Sequence, residues 1–198
     1  HDNSIRRTYV KSSVASPISF NLISELSALS WQIYDEKINL SEARRHFNEI
    51  INSKNNGFYK TLLFISLANA AFCRLFEGDV GSVGCVFVAT LVGFYLRFVL
   101  TKFKINLKFQ YIIVSFISSF IAYIGVYYGI TSTPDVAIGS SILFLMPGVH
   151  LINSVFDILN ENILVGVSRG LNTGLLIICI AIGVYMTLAI SNLGLLNV

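Results

Sequence analysis

The last ninety residues of this chain, 109–198, hold four charged side chains: Asp135, Asp157, Glu161 and Arg169. A water-soluble domain carries charge on roughly a quarter of its residues. A surface this poor in charge is matched by lipid rather than water. From Thr61 onward the apolar blocks are long enough to cross a bilayer, which takes ~20 mainly apolar residues. The whole-chain figures agree: 54% hydrophobic, 13% charged and a mean hydropathy of +0.69.

The charge is uneven. Residues 1–60 carry eight Lys/Arg against six Asp/Glu, and residues 61–198 carry six against five. A polar helical segment, 1–57, therefore precedes a membrane domain, 58–198. The basic residues form no run and no basic–aromatic interleaving, which argues against nucleic acid as a partner. They read as topology signals. Cys73, Cys85 and Cys179 each sit in an apolar block without a CxxC. They read as reduced core residues, neither a disulfide framework nor a metal site. The chain opens on His1 and shows no signal-peptide pattern, so it is expected to be a fragment of a longer protein.

The fold class expected is all-α: five transmembrane helices behind a short helical cytoplasmic segment. Pro17 marks a break in the polar start. Leu22, Leu26, Leu29 and Ile33 recur at helical spacing over 21–36. Ser41 is a suitable N-cap for a second helix, and Asn55-Asn56-Gly57 is a turn signal. Spans are expected near 58–76, 80–101, 109–130, 136–159 and 163–190. Lys102, Lys104 and Lys108 lie between the second and third spans, whereas the turns at 77–79 and 131–135 carry only Glu77, Asp79 and Asp135. The positive-inside rule then puts the N-terminus in the cytoplasm and the C-terminus outside. Gly166, Gly170 and Gly174 on span five, Gly81, Gly84 and Ala89 on span two, and Ser115, Ser118, Ala122, Gly125 and Gly129 on span three are small-residue faces for close packing.

The most specific stretch runs from Met146 to Asp157. Pro147 removes a backbone donor and Gly148 loosens the helix further. The carbonyls freed near Leu143 then need partners within the membrane. Broken helices recur at transporter binding sites, and they also occur as plain kinks. His150, Asn153 and Asp157 share one face after the break, with Ser154 beside it. Arg169, Asn172 and Thr173 form a second polar patch on span five. A short turn at 160–162 makes the two spans antiparallel, so Asp157 and Arg169 can pair. Two readings stand: an ion pair that holds the hairpin, or Arg169 as a bidentate carboxylate receptor with Asp157 as its resting counter-ion or proton carrier. Ser66, Asn69 and Cys73 share a face on span one, with Arg74, Glu77 and Asp79 following. That group is either a solvated helix end or a coupling site, and His150 is a further candidate for moving a proton. No GxSxG, HExxH, nucleotide loop or Cys/His metal spacing occurs. Neither an enzyme nor a bound cofactor is expected.

Three stretches resemble the threonine/serine exporter family: Phe20-Asn21-Leu22-Ile23-Ser24 through Trp31 ahead of Ile38–Ala43; Phe72 through Asp79; and Pro147-Gly148 with Asn153-Ser154, Asp157, Gly166 and Arg169. The likeness covers nearly the whole chain, as the family's first half. It implies a second five-span half, and its absence here implies the split type, whose members are proposed to export succinate. An odd span count puts the termini on opposite sides, so a homologous half would be inverted. The expected function is a subunit of an inner-membrane exporter for small carboxylates, with a succinate-like dicarboxylate preferred and threonine or serine the alternative. A non-transporting membrane scaffold is the alternative of another class. The expected partners are membrane lipid, a second five-span subunit or a second copy, and the carboxylate substrate. Arg169, Asn153, Asp157, Asn172, Pro147 and Gly148 are the candidate substrate site. His150, Asp157, Glu77 and Asp79 are the candidates for coupling.

Overall fold

The computed structural model describes residues 20–36, 38–52 and 57–195, and the side chains among these except Phe20 and residues 192–195. Pro17 and the Asn55-Asn56 part of the expected turn lie outside the described residues. The chain forms two compact units, residues 1–55 and 56–198.

In the first unit, α1 (Phe20–Asp35) and α2 (Leu40–Asn52) pack together. Their buried contacts are Leu29 and Ala43. Asn39, not Ser41, stands at the start of α2: its carbonyl accepts from the Glu42 and Ala43 amides, each at 3.0 Å. Ser41 therefore lies inside the first turn. Arg45 adds exposed i±3 and i+4 pairs with Glu42 and Glu49, each a minor contribution on a solvated face.

The second unit comprises α3 (Phe58–Leu75), α4 (Val80–Lys102), α5 (Leu107–Tyr127), α6 (Pro134–Ser140), a single 3-10 turn (Leu143–Leu145), α7 (Gly148–Leu159) and α8 (Ile163–Leu195). Helices α4, α5 and α8 are each long and apolar enough to cross a membrane, and α6 with α7 makes a fourth crossing if the bent pair is one span. The chain is thus an all-helical, multi-pass membrane protein. The remaining expected span, α3, has 18 residues, with Lys60, Asn69 and Arg74 diluting its apolar character.

Helix α5 is the hub. It packs on α4 at one side and α8 at the other, while α3 lies on α4 and α7 on α8. Small residues allow these approaches, as the sequence suggested for several positions. A side chain at Gly125 would strike Cys85, one at Gly81 the Ile130 carbonyl, and one at Gly166 would come within 2.8 Å of the Ser154 carbonyl. Gly84, Gly129 and Gly174 have open space instead, so those three positions of the expected small-residue faces are not contacts. Gly183, outside the expected ladders, is a further close approach: a side chain there would strike Ser115 and the Ile112 carbonyl of α5. Tyr111, Val114, Leu145, Leu176, Cys179 and Ile180 form the core between these helices.

Four helices end in the same way. After α3, α4, α5 and α7 the residues Glu77, Lys104, Gly129 and Glu161 adopt φ of 62°, 55°, 68° and 65°. At each, paired backbone bonds run back into the last turn, as from Gly78 to Cys73 and from Asn162 to Asp157. This closure satisfies carbonyls that otherwise have no donor. Three of the four positions are filled by Glu or Lys, so no glycine announced them.

The fourth expected span is broken more deeply than a kink at Pro147-Gly148. Helix α6 stops at Ser140, a 3-10 turn follows, and α7 resumes at Gly148 with the axis bent by 63°. Proline forbids a helical amide at 147 and disfavours helix at Met146, and the distortion spreads back through 141–147. Pro147 itself is buried. The Ser140 carbonyl at the end of α6 accepts from Asn69 Nδ2 at 3.1 Å, and the same amide donates to Thr90 Oγ1 at 2.8 Å.

A polar cavity on the α7–α8 hairpin

The α7–α8 hairpin is held by backbone proximity. Ser154 Oγ donates to the Gly166 carbonyl at 2.7 Å, and Gly166 has no Cβ to keep the helices apart. The turn at 160–162 closes through the left-handed Glu161. This register sets Asp157 level with Arg169. Arg169 Nη1 donates to Asp157 Oδ2 at 2.6 Å, with the arginine side chain 58% exposed and the aspartate 24%. The contact is a single bond, so the rest of the guanidinium fork has no carboxylate partner among the described residues.

Beside this pair lies a cavity of about 230 Å³ lined by His150, Asn153, Arg169, Asn172 and Thr173. Thr173 is buried and turns its hydroxyl to the Arg169 carbonyl at 2.9 Å. His150, Asn153 and Asn172 are exposed beside outward apolar residues, Leu151, Ile152, Val155 and Leu171 among them. The cavity is smaller than the ~300–1,000 Å³ typical of pockets for drug-sized ligands, which suits a metabolite of a few heavy atoms. Its donors are a guanidinium, two carboxamides and an imidazole. His150 lies in the first turn of α7, whose positive end favours negative charge nearby. The arrangement can bind a small anion.

Of the sequence candidates, His150, Asn153, Arg169 and Asn172 come together in the wall, and Asp157 joins through Arg169. Pro147 and Gly148 are not in the wall. They start the helix that carries it, and Gly148 faces open space.

Glu77 and Asp79 lie in the α3–α4 turn, apart from this cavity. Glu77 is the left-handed residue ending α3. Asp79 caps α4 and ties two turns together. Oδ1 accepts from the Ser82 amide at 2.9 Å, Thr131 Oγ1 at 2.7 Å and Thr133 Oγ1 at 3.0 Å, while Oδ2 accepts from the Ser132 amide at 3.1 Å. The hydroxyls of Ser82 and Thr131, then the amides of Ser132 and Ser82, hold its carboxyl far below the usual carboxylate range. The polar face of Ser66, Asn69 and Cys73 is buried in the bundle, not solvated. Sequence reading missed what Asn69 binds, because Thr90 and Ser140 are distant in the chain and unremarkable alone. It also missed a second hollow of about 410 Å³, lined by Phe76, Asp135, Val136, Gly139, Ser140 and Leu143.

Comparison with known proteins follows the same lines. The family described as "Putative threonine/serine exporter" matches residues 2–191. The protein named "Probable succinate transporter subunit YjjP" of Klebsiella aerogenes is 30% identical over 133 residues, 67% of this chain and 52% of that protein. Its namesake in Escherichia coli strain K12 is 29% identical over 135 residues, 66% of this chain and 52% of that one. The chain thus spans about half the length of the curated relatives it matches. No solved structure matches it.

Proposed function

Because the chain belongs to the threonine/serine exporter family, we propose that it is a subunit of a secondary exporter for a small carboxylate metabolite, a transporter and not an enzyme. A succinate-like dicarboxylate is the first reading, in keeping with the name of the relatives. The observation that carries it is Arg169: a guanidinium beside a polar cavity, held by one bond to Asp157 with its remaining donors uncommitted among the described residues. An unpaired arginine in the membrane is costly, so it rests on a counter-ion. A substrate carboxylate replaces that counter-ion bidentately, and Asn153 and Asn172 orient the bound molecule. His150 and the displaced Asp157 are the groups nearest for carrying a proton. Threonine or serine is the second reading, favoured by the same Asp157, which offers an ammonium its partner.

In this reading α3 and the α6–α7 pair both cross the membrane, making five spans in the inner membrane with the N-terminus cytoplasmic. The cavity wall comes from one hairpin only, so a second five-span subunit or a second copy completes it.

The test is export from vesicles or cells, normalised to membrane-inserted protein. Arg169→Lys keeps the charge but loses the planar fork. We expect normalised export to fall by about tenfold or more, the equivalent of roughly one charged hydrogen bond. Unchanged normalised export would leave the ion pair a structural clasp and end the receptor reading. Competition by unlabelled succinate against unlabelled threonine then separates the two substrate readings.

A further inference from the structure

Between Asp79 and Asp135 the sequence contains no carboxylate, yet it carries Arg97, Lys102, Lys104 and Lys108. The fold collects all four at one end of the α4–α5 hairpin. Arg97 is in the last turns of α4 and Lys102 is its final residue. Lys104 occupies the left-handed turn, and Lys108 is in the first turn of α5. The flanking acids belong to the opposite end, where Asp79 caps the start of α4 and is bonded to the 131–133 loop. At ~1.5 Å per residue, Asp79 is roughly 27 Å of helix away from Arg97.

Arg97 is half-buried and short of partners. Nη2 donates to the Tyr111 hydroxyl at 3.3 Å, and the guanidinium carbon lies 5.1 Å from the centre of the Tyr111 ring. A guanidinium has five N–H donors. Among the described residues, no ion pair includes Arg97 or any of the three lysines. Arg169, by contrast, has Asp157. Tyr111 is 4% exposed and packs in the core with Val114 and Leu145, so the arginine rests on a fixed wall. The turn is fixed as well. Thr101 Oγ1 donates to Gln110 Oε1 at 3.0 Å, and Gln110 Nε2 donates to the Ile105 carbonyl at 2.8 Å.

Both helices are candidate membrane spans, and their outer surface around this cluster is aromatic: Phe98, Phe103 and Phe109 are exposed. A cationic patch with one inward guanidinium and an apolar skirt is complementary to an anionic amphiphile. Basic clusters at span ends bind acidic lipid headgroups for this reason. We infer that the α4–α5 end is a binding site for an acidic phospholipid, with the headgroup phosphate on Arg97, the lysines around it and the acyl chains along the phenylalanines. The site is independent of the α7–α8 cavity and of the exporter reading.

The test uses the full chain, purified in neutral detergent and titrated with phosphatidylglycerol or phosphatidylcholine. Bound lipid is read by native mass spectrometry and thermal unfolding. Phosphatidylglycerol should be retained in preference and should raise the unfolding temperature. Arg97→Gln should weaken its binding by about fivefold or more. A Lys102/Lys104/Lys108→Gln variant, which leaves Arg97 on Tyr111, should weaken it as well and serves if Arg97→Gln does not fold. Inorganic phosphate is the second arm. Equal retention of both lipids, unchanged phosphatidylglycerol binding in the variants, or equal stabilisation by free phosphate would each overturn the proposal.

Discussion

Asp79 and Asp157 are carboxylates of one membrane unit with opposite surroundings. Asp79 receives donors from Ser82, Thr131, Ser132 and Thr133 and ties the α3–α4 turn to the α5–α6 loop. Both carboxylate oxygens accept hydrogen bonds that favour the charged form, which holds its carboxyl far below the usual range. That makes it a good clasp between the two turns. Its depressed value has a definite sign in pH linkage. The stabilisation is fully present above the ordinary carboxylate value of ~3.9 and is lost as pH falls below it toward the folded-state value. Asp79→Asn should therefore lower the unfolding temperature at neutral pH and flatten the acid limb below about pH 4. Thermal unfolding in detergent across pH 3 to 7 checks this. Equal acid limbs in both proteins would show that other carboxylates govern it.

The element that most departs from regularity is the α6–α7 pair. Its break is tolerated because Asn69, on α3, reaches the Ser140 carbonyl that the ended helix leaves open, while also binding Thr90 on α4. Asn69→Ala removes a buried donor to two acceptors. The expected loss is about 1–3 kcal/mol of stability, the cost of a buried polar group left unsatisfied, read as a drop in unfolding temperature. A second element-scale expectation comes from the helix ends. Glu161 holds φ of 65° to close α7, a conformation that costs an L-residue roughly 1–2 kcal/mol. Glu161→Gly should raise stability, by up to about 1 kcal/mol once glycine's greater unfolded-state freedom is subtracted. A fall in unfolding temperature would mean the Glu161 side chain contributes more than its backbone costs.

For the whole molecule the informative fact is asymmetry. Helix α5 is covered on both sides, whereas α7 has α8 as its main neighbour and buries only Ser154. The polar wall on that hairpin faces outward. Polar side chains do not stay against hydrocarbon without partners, so the face calls for water or another protein surface, as the two-subunit proposal requires. Membrane orientation is its companion test. Single cysteines at Asn106 and Ser132, placed in a variant without Cys73, Cys85 and Cys179, should label from opposite sides, with Asn106 on the cytoplasmic side. Labelling of both from one side would remove the proposed topology and, with it, the inverted-partner arrangement.

Much of this was legible in the chain itself. The scarcity of charge after residue 109 determined the solvent, and the spacing of polar linkers determined the helices to within a few residues at most ends. The i, i+3, i+7 pattern of His150, Asn153 and Asp157 marked one face, and the short turn at 160–162 set it opposite Arg169. These are local signals: composition, period and loop length act within one or two neighbouring elements. The carbonyl acceptor of Asn69, the hydrogen-bonded clasp on Asp79 and the open side of α7 were decided only by tertiary structure. Each depends on which helices become neighbours across fifty or more residues, and that is settled by how small side chains let backbones approach. Hydroxyls and amides look alike in sequence whether they bond their own helix or another. The same holds for Glu77, which reads as a free carboxylate until the backbone shows it ending a helix in the left-handed region.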